Sequence, residues 1–369
     1  MKVALIRRRF SDIGGAELYA QRLLQGLSQA GHKVSLFTEA WDVPIDSVTV
    51  RLIPNHASRA RRLAVFAAAV KRELAKEHFD CVLSLERTAC QDVYRAGDGV
   101  HRVWLQRRRE FAPWFRKPFV GWGAFHRNMM ALEAETFSPR NTRHVIANSE
   151  MVKNEILRHF KFPADRIHIV RNGINLPRFQ QGDRSGTRAQ FGVRDDEFLL
   201  LFVGSGWERK GLSFLLKAAK AFTNEKVKLL VVGKGTKPYG AGPNVIFAGP
   251  MAAVEHAYAA ADLFTFLPIY EPSANVCFEA LAAGLPVVTS SQNGAGEVLR
   301  EGQTGSIIAS PADIPAIVRA IRFWKNRPAA RLTGLDFDLS MERNVAQTIS
   351  ILENVANERS TPVLKDSPA

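Results

Sequence analysis

Two carboxylates stand eight residues apart in Glu271-Pro-Ser-Ala-Asn-Val-Cys-Phe-Glu279, directly ahead of Ala280-Leu-Ala-Ala-Gly-Leu-Pro-Val-Val-Thr289. The second segment reads as the rest of a helix, a glycine turn and a buried strand. With Ser273 as the helix cap, Glu271 falls in the preceding loop and Glu279 in the second turn, roughly 12 Å apart along the axis. The helix start between them attracts phosphate through its unpaired N–H groups. Hydroxyls at both ends of a ligand and anionic charge in its middle describe a nucleotide-sugar.

Two glycine-rich segments offer further anion contacts. Gly204-Ser-Gly-Trp-Glu-Arg209-Lys210-Gly211 places two cations after an apolar run, Arg as a fork and Lys as a point charge, a pair able to neutralise a diphosphate. The phosphate-loop pattern with Lys after the last glycine does not fit it. Gly14 and Gly15 follow the first strand and open a helix, where a missing Cβ lets a ligand approach. The dinucleotide fingerprint G-x-G-x-x-G is absent. An isolated Arg-Lys pair is ordinarily a solvated loop and adjacent glycines an ordinary turn, so position decides their meaning.

The elements that must hold these residues alternate strand and helix. Val3–Ile6, a helix over 15–30, Lys33–Thr38, Val48–Ile53, a helix over 58–78, Phe79–Leu85, His144–Asn148, a helix from Glu150 and Ile167–Val170 make a first series. Phe198–Val203, a helix over 211–222, Val227–Val232, Asn244–Ala248, a helix over 252–260, Leu263–Leu267, a helix over 273–283, Pro286–Thr289, Ser306–Ala309 and a helix over 311–325 make a second. Such winding predicts α/β architecture with two mostly parallel, Rossmann-like sheets. The motifs fall at strand carboxyl ends, where open α/β sheets bind ligands, and the two sheets are expected to face a central cleft. The expected domains are 1–172, with a last helix about 340–357 packing back on it, and 173–339. The Gly-, Pro- and Asn-rich stretch from Asn172 to Arg188 reads as the linker, and 360–369 as a flexible tail.

At 369 residues, two domains are the first expectation. Met1–Ile6 is too short for a signal-peptide core, and no apolar run approaches the 18 or so residues of a membrane span. Cys81, Cys90 and Cys277 are too few and scattered for a disulfide or zinc framework, which suits a reducing compartment. A net charge of +14 calls for an anionic partner, nucleic acid or a lipid surface.

The Glu271–Glu279 block with its strand, the Gly204–Gly211 loop, Gly14-Gly15, Ala147-Asn-Ser149 and Arg171-Asn-Gly-Ile174 together resemble the retaining glycosyltransferases of family 4, over nearly the whole chain. Within the family, Val203–Gly211 is most similar to lipopolysaccharide core glucosyltransferases. The resemblance implies the GT-B fold, an acceptor-side first domain and a donor-binding second domain. It implies that Arg209 and Lys210 hold the donor diphosphate, that Glu279 binds ribose and Glu271 the sugar hydroxyls. Backbone N–H groups at Ser273, Asn275 and Val276 would meet phosphate or sugar. Gly14 and Gly15 would approach the diphosphate, and Arg178 is a further phosphate candidate. Asp98, in Ala96-Gly-Asp-Gly99, is placed beside the anomeric carbon, as in the core glucosyltransferases; many family members have histidine near this point, and His101 competes for the role. A Gly-Asp-Gly turn is the plain alternative.

No metal or other cofactor is expected. Asp336-Phe-Asp338 has the spelling of a metal motif but sits at a late helix boundary, and the two cations replace the metal. Between residues 101 and 130, Trp104, Arg107, Arg108, Arg109, Trp114, Phe115, Arg116 and Lys117 interleave cations with aromatics. That mixture suits a phospholipid interface or stacked single-stranded nucleic acid, unless the rings pack on the domain core. Beside a sugar-transfer site, a membrane-held glycolipid acceptor is the simpler partner, and no nucleic acid is expected. The reading is of a cytoplasmic enzyme, peripheral on the inner membrane, moving glucose from UDP-glucose to a lipopolysaccharide core heptose. Another family 4 transfer of mannose or N-acetylhexosamine, and a basic nucleic-acid- or lipid-binding protein without catalysis, are the alternatives.

Overall fold

The computed structural model of the chain describes residues 1–9, 15–41, 47–238, 240–327, 332 and 338–360. The first series runs β1 (Lys2–Ile6), α1 (Gly15–Gln29), β2 (Lys33–Thr38), β3 (Val48–Leu52), α2 (Arg62–Leu74), β4 (Cys81–Ser84), β5 (Val93–Ala96), α3 (His101–Phe111), α4 (Ala124–Thr136), β6 (His144–Ala147), α5 (Glu150–Phe160) and β7 (Ile167–Ile169). The second runs α6 (Leu176–Phe179), α7 (Arg184–Gln190), β8 (Phe198–Val203), α8 (Trp207–Lys210), α9 (Leu212–Ala219), β9 (Val227–Val232), β10 (Val245–Gly249), α10 (Glu255–Ala260), β11 (Leu263–Phe266), α11 (Asn275–Ala282), β12 (Val287–Ser290), β13 (Gly305–Ile308) and α12 (Ile314–Lys325). The helix α13 (Met341–Ser360) closes the described chain.

Two compact units result. One holds Met1–Arg109, Pro113–Arg171 and α13; the other holds Glu110–Ala112 and Asn172–Ser340. The first is built on a seven-stranded sheet in the order β3-β2-β1-β4-β5-β6-β7, the second on a six-stranded sheet in the order β10-β9-β8-β11-β12-β13. All pairings between these strands are parallel. Each sheet is therefore Rossmann-like. Its winding reverses once, between β1 and β4 in the first sheet and between β8 and β11 in the second. In such sheets the crevice beyond the strand ends at the reversal is the ligand position. Strands covered on both faces read as continuous apolar runs, and Phe198-Leu-Leu-Leu-Phe-Val203 is one, buried through its middle.

The last helix belongs to the first unit because its apolar face completes that core. Met341, Val345, Leu352 and Val355 join Leu23, Leu27, Val3 and Leu36 in one buried cluster. Gly26 permits the close approach of α1: a Cβ there would meet Val345 Cγ1 at 2.4 Å.

The stretch from Asn172 to Arg188, expected as the linker, opens the second unit and carries two short helices. Asn175 caps α6 by accepting from Arg178 N–H, and Asp183 caps α7 by accepting from Gly186 N–H. Arg188 is fully buried and donates to the carbonyls of Ala260 and Arg194 and to Asp262. Polar residues that looked like loop are caps and a carbonyl-tying arginine. The stretch between Leu85 and His144, for which no element was expected, likewise contains β5, α3 and α4. Of the expected tail, Ser360 ends α13 and the remainder lies outside the described residues.

Candidate active site

The winding reversal of the second sheet gathers the cations and the first carboxylate. After β8 the chain turns at Gly204 and Gly206 into the single turn α8, which carries Arg209 and Lys210. Gly211 then adopts φ +75°, and a Cβ there would fall 1.7 Å from the Leu267 carbonyl oxygen, so only glycine lets this loop lie against the end of β11. The contact is fixed by Ile269 N–H donating to the Arg209 carbonyl at 3.0 Å. Glu271, four residues beyond Leu267, is buried and bridged through its backbone to Gln292 and Gly294. Lys210 Nζ reaches Glu271 Oε2 at 2.6 Å and Arg209 Nη1 reaches the same oxygen at 3.1 Å. Lys210 also lies over the Phe266 ring.

Ser273 does not cap the following helix. The helix α11 starts at Asn275 with Ala274 at the cap and no side-chain capping bond, and Ser273 Oγ is buried without a hydrogen-bond partner. Asn293, in the loop after β12, instead braces the cap residue Ala274 and leaves the helix amides open. Its Oδ1 accepts from Ala274 N–H at 3.2 Å and from Ala295 N–H at 3.1 Å, while its Nδ2 donates to Thr289 Oγ1 at 2.9 Å. Asn172 adds a second brace, donating to the Ser273 carbonyl and to Asn275 Oδ1. The first amides of α11, including those of Asn275 and Val276, have no intrahelical acceptor, as at any helix start. The sequence offered one signal for Asn293, an Asn-Gly step just past a strand end.

Glu279 sits in the second turn of α11, half-buried. Tyr258, from α10, donates its hydroxyl to Glu279 Oε2 at 2.7 Å and to the Val276 carbonyl at 3.3 Å. Burial lifts the Glu279 carboxyl above its ordinary range, against the Tyr258 hydrogen bond and the positive charge of Arg178. Arg178 itself is engaged, donating to Glu255 Oε2 at 2.9 Å and to the Ala252 carbonyl at 2.9 Å. It lines an open pocket with Asn175, Pro177, Gln181 and Glu255.

In the first unit Asp98 lies in the turn after β5, with its side chain 78% exposed and 3.9 Å from Arg87 Nη1. Arg87 is buried against Glu133, which is 1% exposed. Glu133 also accepts from His101 N–H at 2.6 Å and from Arg102 N–H at 3.3 Å. A carboxylate of α4 thus caps α3, and the pair Arg87–Glu133 fixes the turn that presents Asp98; neither residue was legible as part of a site. His101 Nε2 is 3.0 Å from His126 Nδ1. Burial, with Arg87 and His126 adding to it, brings the His101 pKa down to about 4, so its imidazole is neutral at pH 7.

The cation–aromatic segment is half helix, half exposed turn. Val103 and Leu105 bury one side of α3. Beyond Ala112, Trp114 is 83% and Trp122 73% exposed, with Phe115 and Phe119 also exposed. Arg108 lies over Trp104 and Arg116 over Phe115, while Arg109 donates to the Lys117 carbonyl. Arg107 is half-buried in α3. The alternative that these rings pack into the core therefore fails for the four exposed ones. No helix among the described residues is long and apolar enough to cross a membrane. Gly15 opens α1, whereas Gly14 and Asp336 lie outside the described residues. Asp338 Oδ1 accepts from Ser340 N–H, a local turn.

The family Glycosyltransferase Family 4 matches residues 13–178, and the family Glycosyl transferases group 1 matches residues 183–333. An uncharacterised glycosyltransferase, MJ1607 of Methanocaldococcus jannaschii, is 27% identical over 83% of this chain and 84% of its own. The lipopolysaccharide glucosyltransferase WaaG of Escherichia coli K12 is 25% identical over 84% of this chain and 86% of its own. Among solved structures, that of WaaG superposes with a TM-score of 0.74 at 22% identity, covering 98% of this chain and 100% of that one. Anabaena HepE in complex with UDP-glucose superposes with a TM-score of 0.64 at 18% identity, covering 98% and 99%. Both families map onto the two Rossmann-like units in the order of the GT-B fold, and the chain belongs to the group 1/family 4 glycosyltransferases.

Proposed function

We propose that the chain is a retaining, nucleotide-sugar-dependent hexosyltransferase whose donor, UDP-glucose, binds at the winding reversal of the second sheet. The observation that carries this reading is the convergence of Arg209 and Lys210 on Glu271 Oε2, just ahead of α11, with Glu279 in its second turn. A donor diphosphate takes the two cations and the first amides of α11. Glu279, held by Tyr258, accepts from the ribose hydroxyls, and Glu271 orients the sugar.

The diphosphate is the leaving group. Negative charge grows on it as the anomeric bond breaks, and fixed cations and helix-start amides stabilise that charge more in the transition state than in the bound donor. They supply what a divalent ion would supply, so transfer in the presence of chelator is expected. A double displacement needs a carboxylate at the anomeric carbon. Asp98 is the carboxylate that the family resemblance puts in that role, and front-face return of the acceptor oxygen is the course proposed here. A glycosyl-Asp98 adduct in mass spectra of donor-treated protein would refute that.

The acceptor proposed is a lipopolysaccharide inner-core heptose, on the likeness to WaaG, whose name gives the glucosyl transfer. The exposed Trp114 and Trp122 among Arg108, Arg109, Arg116 and Lys117 suit an anionic bilayer surface with indoles at headgroup depth, which supports a peripheral position on the cytoplasmic face of the inner membrane. A thermal-shift panel of UDP-, GDP- and ADP-sugars tests the donor. UDP-glucose should give the largest rise in melting temperature, and a larger rise with a GDP- or ADP-sugar would replace the donor assignment.

A further inference from the structure

The carboxyl edge of the first sheet, at the ends of β1 and β2, carries an excess of arginine that the donor chemistry does not use. Glu39, at the carboxyl end of β2, has a side chain only 3% exposed, and three guanidinium groups converge on it: Arg62 Nη2 at 3.0 Å, Arg9 Nε at 3.1 Å and Arg8 Nη1 at 3.7 Å. Asn55 Nδ2 donates to its other oxygen at 2.8 Å. One bidentate partner satisfies a buried carboxylate. Three like charges around one opposite charge repel one another, and among the described residues the surplus of two positive charges is of no use to Glu39 itself.

Position gives the surplus a direction. Arg8 and Arg9 extend β1 past its carboxyl end, where Arg9 makes a parallel bridge to Ala40 and the Arg8 carbonyl accepts from Glu39 N–H. The neighbouring strand end, after β4, has its own compensated pair, Arg7 with Glu86 at 3.3 Å, and Glu86 also accepts from Arg8 N–H. Arg7 is thus spoken for, while Arg8, Arg9 and Arg62 each leave about a third to a half of their side chains exposed. Open α/β sheets bind ligands beyond the carboxyl ends of their strands, and the cluster stands at the ends of β1 and β2, next to the reversal between β1 and β4.

We propose that Arg8, Arg9 and Arg62 form a phosphoryl-binding subsite, fanned by the buried Glu39, that takes a phosphate group carried by the acceptor. A phosphate dianion matches the surplus charge, and guanidinium forks match its oxygens. The word acceptor rests on the transferase reading above; the subsite itself does not. The same chemistry reaches the protein from two sources, a phosphorylated sugar or a lipid headgroup.

The test uses the full chain with UDP at saturation, so that the second sheet contributes no phosphate binding. Glucose 6-phosphate is titrated calorimetrically, and sedimentation is followed with phosphatidylcholine vesicles with and without phosphatidic acid. Arg9→Ser and Arg62→Ser should each weaken the phosphate-dependent binding about tenfold, with Arg9→Lys recovering part of it. Loss in the soluble arm identifies a sugar phosphate, and loss in the phosphatidic acid arm alone identifies a headgroup. Absence of saturable binding of either probe to the wild type, or unchanged binding in both variants, overturns the proposal. Arg9, the most exposed of the three, keeps the test open should Arg62→Ser fold poorly. UDP affinity, measured on the same samples, should match wild type in every variant; its absence altogether would sink the donor reading without touching this one.

Discussion

Lys210 Nζ sits 2.6 Å from Glu271 Oε2, so a cation assigned to the donor diphosphate is held by the carboxylate assigned to the donor sugar. Arg209 shares that oxygen. A diphosphate must draw both cations from Glu271, and the released carboxylate becomes an acceptor for sugar hydroxyls. Glu271→Gln removes the competing charge. Affinity for UDP should rise several-fold, by about 1 kcal/mol, while transfer falls at least a hundredfold; calorimetry and initial rates on one preparation separate the two. Equal losses in both would show that Glu271 does not lie at the sugar end.

Truncating the cations divides stability from binding. Lys210 and Glu271 are largely buried, so Lys210→Ala leaves the carboxylate with Arg209 alone and should lower stability by about 2 kcal/mol in urea unfolding. Arg209 is 40% exposed, and Arg209→Ala should stay within about 1 kcal/mol of wild type. Both variants should bind UDP at least tenfold more weakly. An unchanged UDP affinity in Lys210→Ala would exclude the loop from the donor site.

Glu279 gives a pH signature. Burial raises its carboxyl pKa in the folded chain above the unfolded value, so between those two values the folded state holds a proton that the unfolded state has lost. Stability from this group is present below the unfolded pKa and declines as pH rises through the folded one. Glu279→Gln keeps an acceptor for Tyr258 without the charge. It should melt higher than wild type at pH 7 to 8, converge with it near pH 4, and bind UDP-glucose more weakly than wild type at pH 7. Tyr258→Phe, which removes a hydrogen bond that favours the carboxylate, should move the pH dependence of donor binding to higher pH.

The exposed indoles predict a surface effect without a folding effect. Trp114→Ser with Trp122→Ser should reduce co-sedimentation with phosphatidylglycerol vesicles about tenfold or more, since each ring contributes headgroup-depth burial. Melting temperature and UDP affinity should not change. Undiminished vesicle binding would assign the segment to some other contact.

The strand–helix alternation, the two sheets and the Glu271–Glu279 block were readable because each rests on local pattern: apolar runs, a glycine turn, cations after a strand. What escaped was set by distant partners. Asn293, not Ser273, braces the head of α11, through the N–H of Ala274, because the loop after β12 lies against it, and no spacing near Ser273 reports that. Arg87 and Glu133 stand 46 residues apart and meet only when α4 packs on the turn after β4. Arg188 reads as linker polarity until the carbonyls it ties are seen. β5 is four residues with an arginine among them, too short for its period to show.

The central claim is retaining transfer of glucose from UDP-glucose, and one NMR experiment addresses it directly. The chain is incubated with UDP-[13C]glucose and a truncated lipopolysaccharide ending at the inner-core heptoses, with chelator present, and the anomeric signals of the product are read. A new α-linked glucose on heptose is expected with wild type and should be lost in Lys210→Ala. A β-linked product, or transfer undiminished in that variant, would contradict it.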